Sequence, residues 1–355
     1  MRVGHIGSFN RNLGDNIALW NVQKGFNKQA SIEWVNIDIR DAFWNRNNNV
    51  KHTIQFLNNQ NLDAIVVGGG GLIEYNGYET NETHFKLPFN KHILESLNCP
   101  VAFIGLGINY FRGREGFSDL AKQALAEVIE YSSYFSLRND GSLDILEELG
   151  LYTEKVNEIP DPGLIYDYEK ISLTQLKNNL VQPAFNSGEG VNKNRYKSSE
   201  NIQELVNFVN ERNLLAFPHT HKDYKYFTKF IISKDNLIQT LQFSYTEELA
   251  KIYLNFDSVV ALRGHGQLMT VGMNVPGIYF STQDKVRDFS LQNGFSNYNV
   301  DIEEENWLSK LKDKHSKLLT DASYLNEWYS IRDRNVKEWR AQFTNAVTTA
   351  LKSFE

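Results

Sequence analysis

Arg263-Gly264-His265-Gly266 carries the densest chemistry in this chain. The preceding run, Val259-Val260-Ala261-Leu262, reads as a buried strand, and Gln267 to Met273 reads as a helix, which makes the four residues a tight turn. Two glycines let the backbone approach a ligand closely, and the opening N–H groups of a helix lack partners within it. Arg263 can grip carboxylate or phosphate oxygens through its planar fork. His265 can hold or donate a proton near neutral pH. Both lie outside the carboxyl end of a strand, where open α/β sheets bind ligands. The chemistry implied is an anionic substrate whose reaction needs a proton. The structural alternative is a strand–helix turn with a surface arginine and a capping histidine.

Four other places carry candidate groups. Asn12-Leu13-Gly14-Asp15-Asn16 follows the first strand. Asp15 there suits an N-cap or a carboxylate base beside an acceptor hydroxyl, with Gly14 next to it. Gly68-Gly69-Gly70-Gly71 follows an apolar run and reads as a strand–helix turn that exposes N–H groups, with Gly70 and Gly71 as the acceptor approach. No Gly-Lys-Ser/Thr follows it, and the G-x-G-x-x-G spacing is absent, so neither a P-loop nor a dinucleotide fingerprint is present. Arg138 ends a strand and is expected to point into a cleft; the alternative is a surface pair with Asp140 or Glu147. His219 and His221, with Asp223, form a polar loop suited to acceptor hydroxyls. Their spacing fixes no third metal ligand, and no metal is expected.

Composition bounds the setting. At 355 residues the chain exceeds one ordinary core, which implies two domains. Hydrophobic content of 41% and charged content of 23% are those of a globular protein. Aromatics at 13% suit sugar stacking or core packing, core being the simpler use. The net charge of −6 and the lack of a dense basic stripe argue against a nucleic-acid partner. Cys99 stands alone, so no intramolecular disulfide or cysteine metal cluster is expected. No signal-like start and no long apolar run appear, and a cytoplasmic location is expected. Contact at the inner membrane surface, through the Lys222–Lys229 stretch, is compatible with it.

The elements that must position these groups alternate. Strands are expected at Arg2–Gly7, Ile32–Ile37, Leu62–Val67, Val101–Ile104 and Tyr134–Leu137. Helices are expected at about Ile17–Lys28, Val50–Asn58, Phe117–Tyr131 and Ser142–Leu149. Ile159-Pro160-Asp161-Pro162-Gly163 is a breaker cluster and a candidate linker. A second set follows, with strands at Leu180–Ala184, Leu214–Phe217, Ser258–Leu262 and Pro276–Phe280, and helices at Ser198–Arg212 and Thr246–Leu254. Phe185–Tyr196 reads as a flexible loop. Residues 309–355 read as charged helices packing back through Trp328 and Trp339. The expectation is an α/β, GT-B-like fold of two doubly wound, Rossmann-like domains, 1–160 and 161–308, facing across a cleft. The first domain is the acceptor side and the second the donor side.

Taken in order, these pieces resemble the polysaccharide pyruvyl transferase family. The resemblance rests on Asn12-Leu13-Gly14-Asp15, Gly68-Gly69-Gly70-Gly71-Leu72, Gly105-Leu106-Gly107-Ile108 and Ser136-Leu137-Arg138 with Ser142. Asp161-Pro162 and Arg263-Gly264-His265-Gly266 with Gly272 to Pro276 complete it. It spans about residues 3 to 285. Two departures stand out. Gly264 occupies a position that is usually bulky and apolar, and Asn139 follows Arg138 where the family usually has Asp.

The resemblance implies transfer of pyruvate from phosphoenolpyruvate to a sugar as a ketal, with phosphate released and no cofactor required. Arg138, Arg263, Gly264, His265 and Gly266 would bind the donor. His265 would be the proton donor or the group at the leaving phosphate. The acceptor would belong to a surface polysaccharide (capsule or exopolysaccharide) or to a lipid-linked precursor. The alternatives are a GT-B glycosyltransferase using a nucleotide sugar and a non-catalytic carbohydrate-binding protein. For the first, no acidic residue is clearly placed for a ribose near the Arg263 turn.

Overall fold

The structure, a computed structural model, describes residues 1–10, 12–43, 49–74, 83, 87–109, 116–165, 179–184, 194–230 and 247–355, apart from the side chains of residues 227 and 230. Among the described residues, eleven strands form two sheets whose paired neighbours all run parallel. The first contains β1 (Arg2–Gly7), β2 (Glu33–Asp38), β3 (Ala64–Ile73), β4 (Val101–Ile108), β5 (Tyr134–Arg138) and β6 (Val156–Ile159), in the order β2-β1-β3-β4-β5-β6. The second contains β7 (Asn179–Gln182), β8 (Leu215–Ala216), β9 (Ser258–Ala261), β10 (Gly277–Ser281) and β11 (Asn299–Asp301), in the order β11-β10-β9-β7-β8. Counted from its own first strand, the second sheet repeats the 2-1-3-4-5 order of the first. Each sheet therefore has one switch point, between β1 and β3 and between β7 and β9, where a crevice opens at the strand ends.

The helices are α1 (Leu13–Asn27), α2 (Ile39–Ala42), α3 (Val50–Asn58), α4 (Lys91–Ser96), α5 (Asp119–Tyr131), α6 (Ser142–Glu148), α7 (Ser199–Glu211), α8 (His221–Phe230), α9 (Glu247–Ala250), α10 (Gly264–Gly272), α11 (Asp284–Gln292), α12 (Trp307–Thr320) and α13 (Ala322–Lys352). Parallel strands covered on both faces are apolar throughout, and successive residues of β3 and β4 divide between two cores. Ile65, Val67, Val101 and Phe103 enter one core, while Ala64, Val66, Ala102 and Ile104 enter the other. That second core is closed by Val22 and Phe26 of α1 together with Phe343, Val347 and Ala350 of α13. Upstream in the same helix, Trp328, Ile331 and Trp339 belong to the core of the second sheet. Trp328 is fully buried and donates through Nε1 to the Tyr279 hydroxyl at 3.1 Å. The last helix thus packs on both sheets.

Several expected boundaries move. The glycine run is not a turn: β3 continues through Gly68–Gly71 to Ile73, and β4 likewise continues through Gly105 and Gly107 to Ile108. Parallel pairing accounts for this, since Gly68 and Gly70 lie beside Ile104 and Leu106 in the sheet. Helix α1 opens at Leu13, and its cap is Asn12, whose side chain accepts from Gly14 N at 3.0 Å; Asp15 is in the first turn. Helix α10 opens at Gly264, three residues earlier than the periodicity suggests, which puts His265 in its first turn. The PHTHKD stretch is a loop only as far as Thr220, and α8 begins at His221. The expected helix over Thr246–Leu254 is α9 followed by a 3-10 turn over Lys251–Asn255. Ile159–Gly163 is no open tether: Asp161 is fully buried and caps the 3-10 turn Pro162–Leu164, whose Pro162 carbonyl accepts from Asn21 of α1 at 2.8 Å. Most of the expected Phe185–Tyr196 loop lies outside the described residues.

Candidate active site

The two switch points meet. Leu13 N donates to His219 O at 3.4 Å, so the start of α1 rests on the loop that leads into α8. Leu13 and Ile17 sit in the core of the second sheet, although the rest of α1 packs on the first. This places Asp15 and Gly14 against the first turn of α10. His265 Nδ1 lies 3.4 Å from Asp15 Oδ1, and Gly14 lies directly beneath the imidazole ring. The other ring nitrogen, Nε2, is buried and has no hydrogen-bond partner among the described residues.

Around His265 a cleft is lined by Arg138 and Asp140 from one domain and by Gly264, Gln267, Leu268, Lys285 and Phe289 from the other. Arg138 ends β5 and is buried, not on the surface. Its Nε is 2.6 Å from Asp140 Oδ2, and a terminal nitrogen donates to Asp161 Oδ2 at 2.9 Å. The guanidinium lies over Gly107, in space that any side chain there would fill. Asn139 turns its carboxamide oxygen to the N–H of Asp161 and its nitrogen to Asn293 of the second domain. It thereby ties the Arg138 strand end to α11.

The site combines two cations, Arg138 and Lys285, with the carboxylates of Asp140, Asp161 and Asp15. Burial, reinforced by the charges of Arg138 and Lys285, holds His265 well below the ordinary histidine range, so the unliganded ring is neutral at pH 7. Burial and then Arg138 bring Lys285 down to about 8. An anion entering the cleft would offset the neighbouring cations' part in both and favour the charged forms.

The expected residues are not all gathered here. Arg263 turns to the fully buried Asp223, which takes its Nε at 3.1 Å and a terminal nitrogen at 2.6 Å; Asp223 also accepts from Thr220. Arg263 is thus held side-on by α8, and it is not among the residues lining the cleft. His219 is buried and contacts the Tyr253 hydroxyl at 2.6 Å, with burial and Arg263 lowering it to about 3. His221 is exposed at the start of α8 and stacks on Tyr224. Gly70 faces Asp15, Gly71 faces Asn109, and Gly266 makes room for Gln182. Gln182 in turn accepts from Arg263 N at 2.9 Å. A Cβ on Gly264 would meet only the methylenes of Lys285, at ordinary contact distance.

Lys285 and Asn109 escape sequence reasoning. The signal for Lys285 was nevertheless present: it stands in the first turn of the helix after β10, the same strand-end position that singled out Arg138 and Arg263.

Two parallel sheets of repeated topology meeting at their switch points define a GT-B-like fold, and solved structures agree. The UDP-GlcNAc 2-epimerase of Methanocaldococcus jannaschii, in complex with UDP-GlcNAc and UDP, is 14% identical with a TM-score of 0.53, covering 90% of this chain and 93% of that one. The UDP-N-acetylglucosamine 2-epimerase of Rickettsia bellii is 14% identical at a TM-score of 0.53, covering 98% of each chain. WaaG, a glycosyltransferase involved in lipopolysaccharide biosynthesis, is 11% identical at 0.54, again over 98% of each. No curated protein sequence matches the chain.

The family model for polysaccharide pyruvyl transferase matches residues 12–285, and the chain belongs to that family. Membership makes it a transferase acting on polysaccharides.

Proposed function

We propose that this protein transfers pyruvate from phosphoenolpyruvate to two hydroxyls of one sugar, forming a ketal and releasing phosphate. What carries the reading is that Arg138 and Lys285, from opposite domains, flank a buried imidazole whose outer nitrogen has no hydrogen-bond partner among the described residues. A ligand with a carboxylate and a phosphate needs two cationic anchors, and the cleft offers them about a proton carrier.

The donor's negative charge offsets Arg138 and Lys285, and His265 gains a proton on binding, with Asp15 beside Nδ1 stabilising the imidazolium. His265 gives that proton to the donor's methylene carbon, C3, and C2 becomes electrophilic. The first sugar hydroxyl bonds to C2 through oxygen, and its proton restores His265. The same proton then goes to the bridging phosphate oxygen as the C2–O bond breaks. The second hydroxyl closes the ring at C2 and returns its proton to the imidazole. Two hydroxyl protons are consumed, one at C3 and one on phosphate, and His265 ends as it began. Arg263, clamped by Asp223, contributes charge and holds the strand end that presents His265.

The acceptor is read as a surface polysaccharide or its precursor, met at the Asp15 side of the cleft. A lipid-linked acceptor is supported by α8, where Lys222, Lys225 and Lys229 recur at helical spacing on the exposed face. Such a stripe suits an anionic membrane surface. Among the described residues no helix is long and apolar enough to cross a membrane; the contact we propose is peripheral, at the cytoplasmic face.

The test is phosphate release from phosphoenolpyruvate with galactoside or mannoside acceptors, run beside nucleotide release from UDP- and GDP-sugars. Activity confined to the nucleotide sugars would overturn the donor. Failure to sediment with anionic liposomes would remove the membrane contact.

A further inference from the structure

Asn109 follows β4 on the first domain and meets Lys285 across the cleft. Its backbone N–H donates to Ile73 O at 2.8 Å, extending the sheet by one residue. Its side-chain nitrogen donates to Gly71 O at 2.6 Å. A carbonyl can only accept, so this bond decides which end of the carboxamide is oxygen. The oxygen faces Lys285, whose Nζ donates to it at 3.2 Å. Asn109 is only 8% exposed. Gly71 leaves its space open: a Cβ there would stand 2.6 Å from Asn109 Oδ1.

The groups facing Lys285 pull in both directions. Arg138 and Arg195 disfavour its charge, while Asp140 and Asp15 favour it. Its hydrogen bond, by contrast, goes to a neutral amide. A neutral acceptor aims an ammonium without cancelling its charge, whereas a carboxylate in the same place would compete with an incoming anion.

We propose that Asn109 is the positioning residue for Lys285, drawing its ammonium over the cleft beside Arg138 and leaving its charge for the anionic donor. Gly71 is then the seat of Asn109 and not an acceptor contact. The inference rests on reading the cleft as the phosphoenolpyruvate site.

The experiment follows Lys285 without any substrate, through the pH dependence of its acetylation by acetic anhydride in the full chain, read by mass spectrometry. Removing the acceptor in Asn109→Ala lowers the midpoint by about one unit, and supplying a carboxylate in Asn109→Asp raises it by about as much. Gly71→Ala displaces the carboxamide without altering it and shifts the midpoint in the same direction as Asn109→Ala. Phosphoenolpyruvate affinity falls about tenfold in both Asn109 variants, by misplacement in one and by neutralisation in the other. Opposite titration shifts with a common loss of affinity are not what general structural damage produces. An unmoved midpoint in Asn109→Ala overturns the inference, even if the wild type turns over phosphoenolpyruvate. If the midpoints move as stated while the wild type neither binds nor consumes phosphoenolpyruvate, the donor reading falls and the positioning of Lys285 stands.

Discussion

Gly14 lies so close beneath His265 that a Cβ at position 14 would stand 2.7 Å from Nδ1 and closer still to the ring's own Cβ. One domain thus supplies the floor on which the other domain's imidazole rests. Gly14→Ala must push His265 away from Asp15 or part the domains. We expect turnover to fall about 10²-fold while the far-ultraviolet circular dichroism is kept, since a displacement of about 1 Å at the reacting group costs that much. A fully active Gly14→Ala enzyme would show that the contact does not govern the chemistry.

The depressed state of His265 has a direct calorimetric consequence. The free ring is neutral at pH 7 because burial and the neighbouring cations hold it well below its ordinary range. An anionic donor raises it, so binding takes protons up. Titrations of phosphoenolpyruvate in buffers of different ionisation enthalpy should register close to one proton gained at pH 7. In His265→Gln the uptake vanishes, and turnover falls by about 10²–10⁴-fold.

Lys285 titrates in the opposite sense to a permanent anchor. Lowered to about 8, it carries its charge below that pH and loses it as pH rises through it. Donor affinity should therefore weaken additionally above about pH 8. Lys285→Arg, which stays charged, should abolish that extra weakening. An identical pH profile in the variant would mean that Lys285 does not hold the donor.

Asp161 and Arg138 are a buried pair, and Asp161 also caps the turn between the sheets. Removing the carboxylate leaves the buried guanidinium with Asp140 alone and takes the cap from the turn. Asp161→Ala, which loses a buried ion pair and a cap together, is expected to cost about 3–5 kcal/mol in urea unfolding, whereas Asp313→Ala, in an exposed pair with Lys317, should cost less than about 1 kcal/mol. Equal costs would contradict the burial argument.

The repeated strand–helix alternation made both domains legible, because parallel strands and their helices impose different periods on the apolar residues. Glycine misled the reading twice, at Gly68–Gly71 and Gly105–Gly107. There it serves inside strands, where Asn109 and Arg138 lie across the sheet, and only tertiary contact reveals that use. Asp15 was read as an N-cap or as a base beside an acceptor hydroxyl, and nothing in the sequence marked it as the neighbour of His265. The two are 250 residues apart in the chain and meet only because two switch points face each other. Arg263 was read as a donor anchor from its type and position; its partner Asp223 was hidden in what looked like a loop.

The long helix α13 has a bearing on biosynthesis. The face of the first sheet that carries Val3, Ala64, Val66, Ala102, Ile104, Tyr134 and Ile159 is sealed by Phe343, Val347 and Ala350. A ribosome making this chain from its N-terminus leaves that apolar face without its cover until residues 343–350 have been made. The first domain can collapse early but cannot finish, and the cleft can take its final shape only after the last turns of α13 have emerged. Maturation of the cleft therefore waits on the same helix that locks the two halves together.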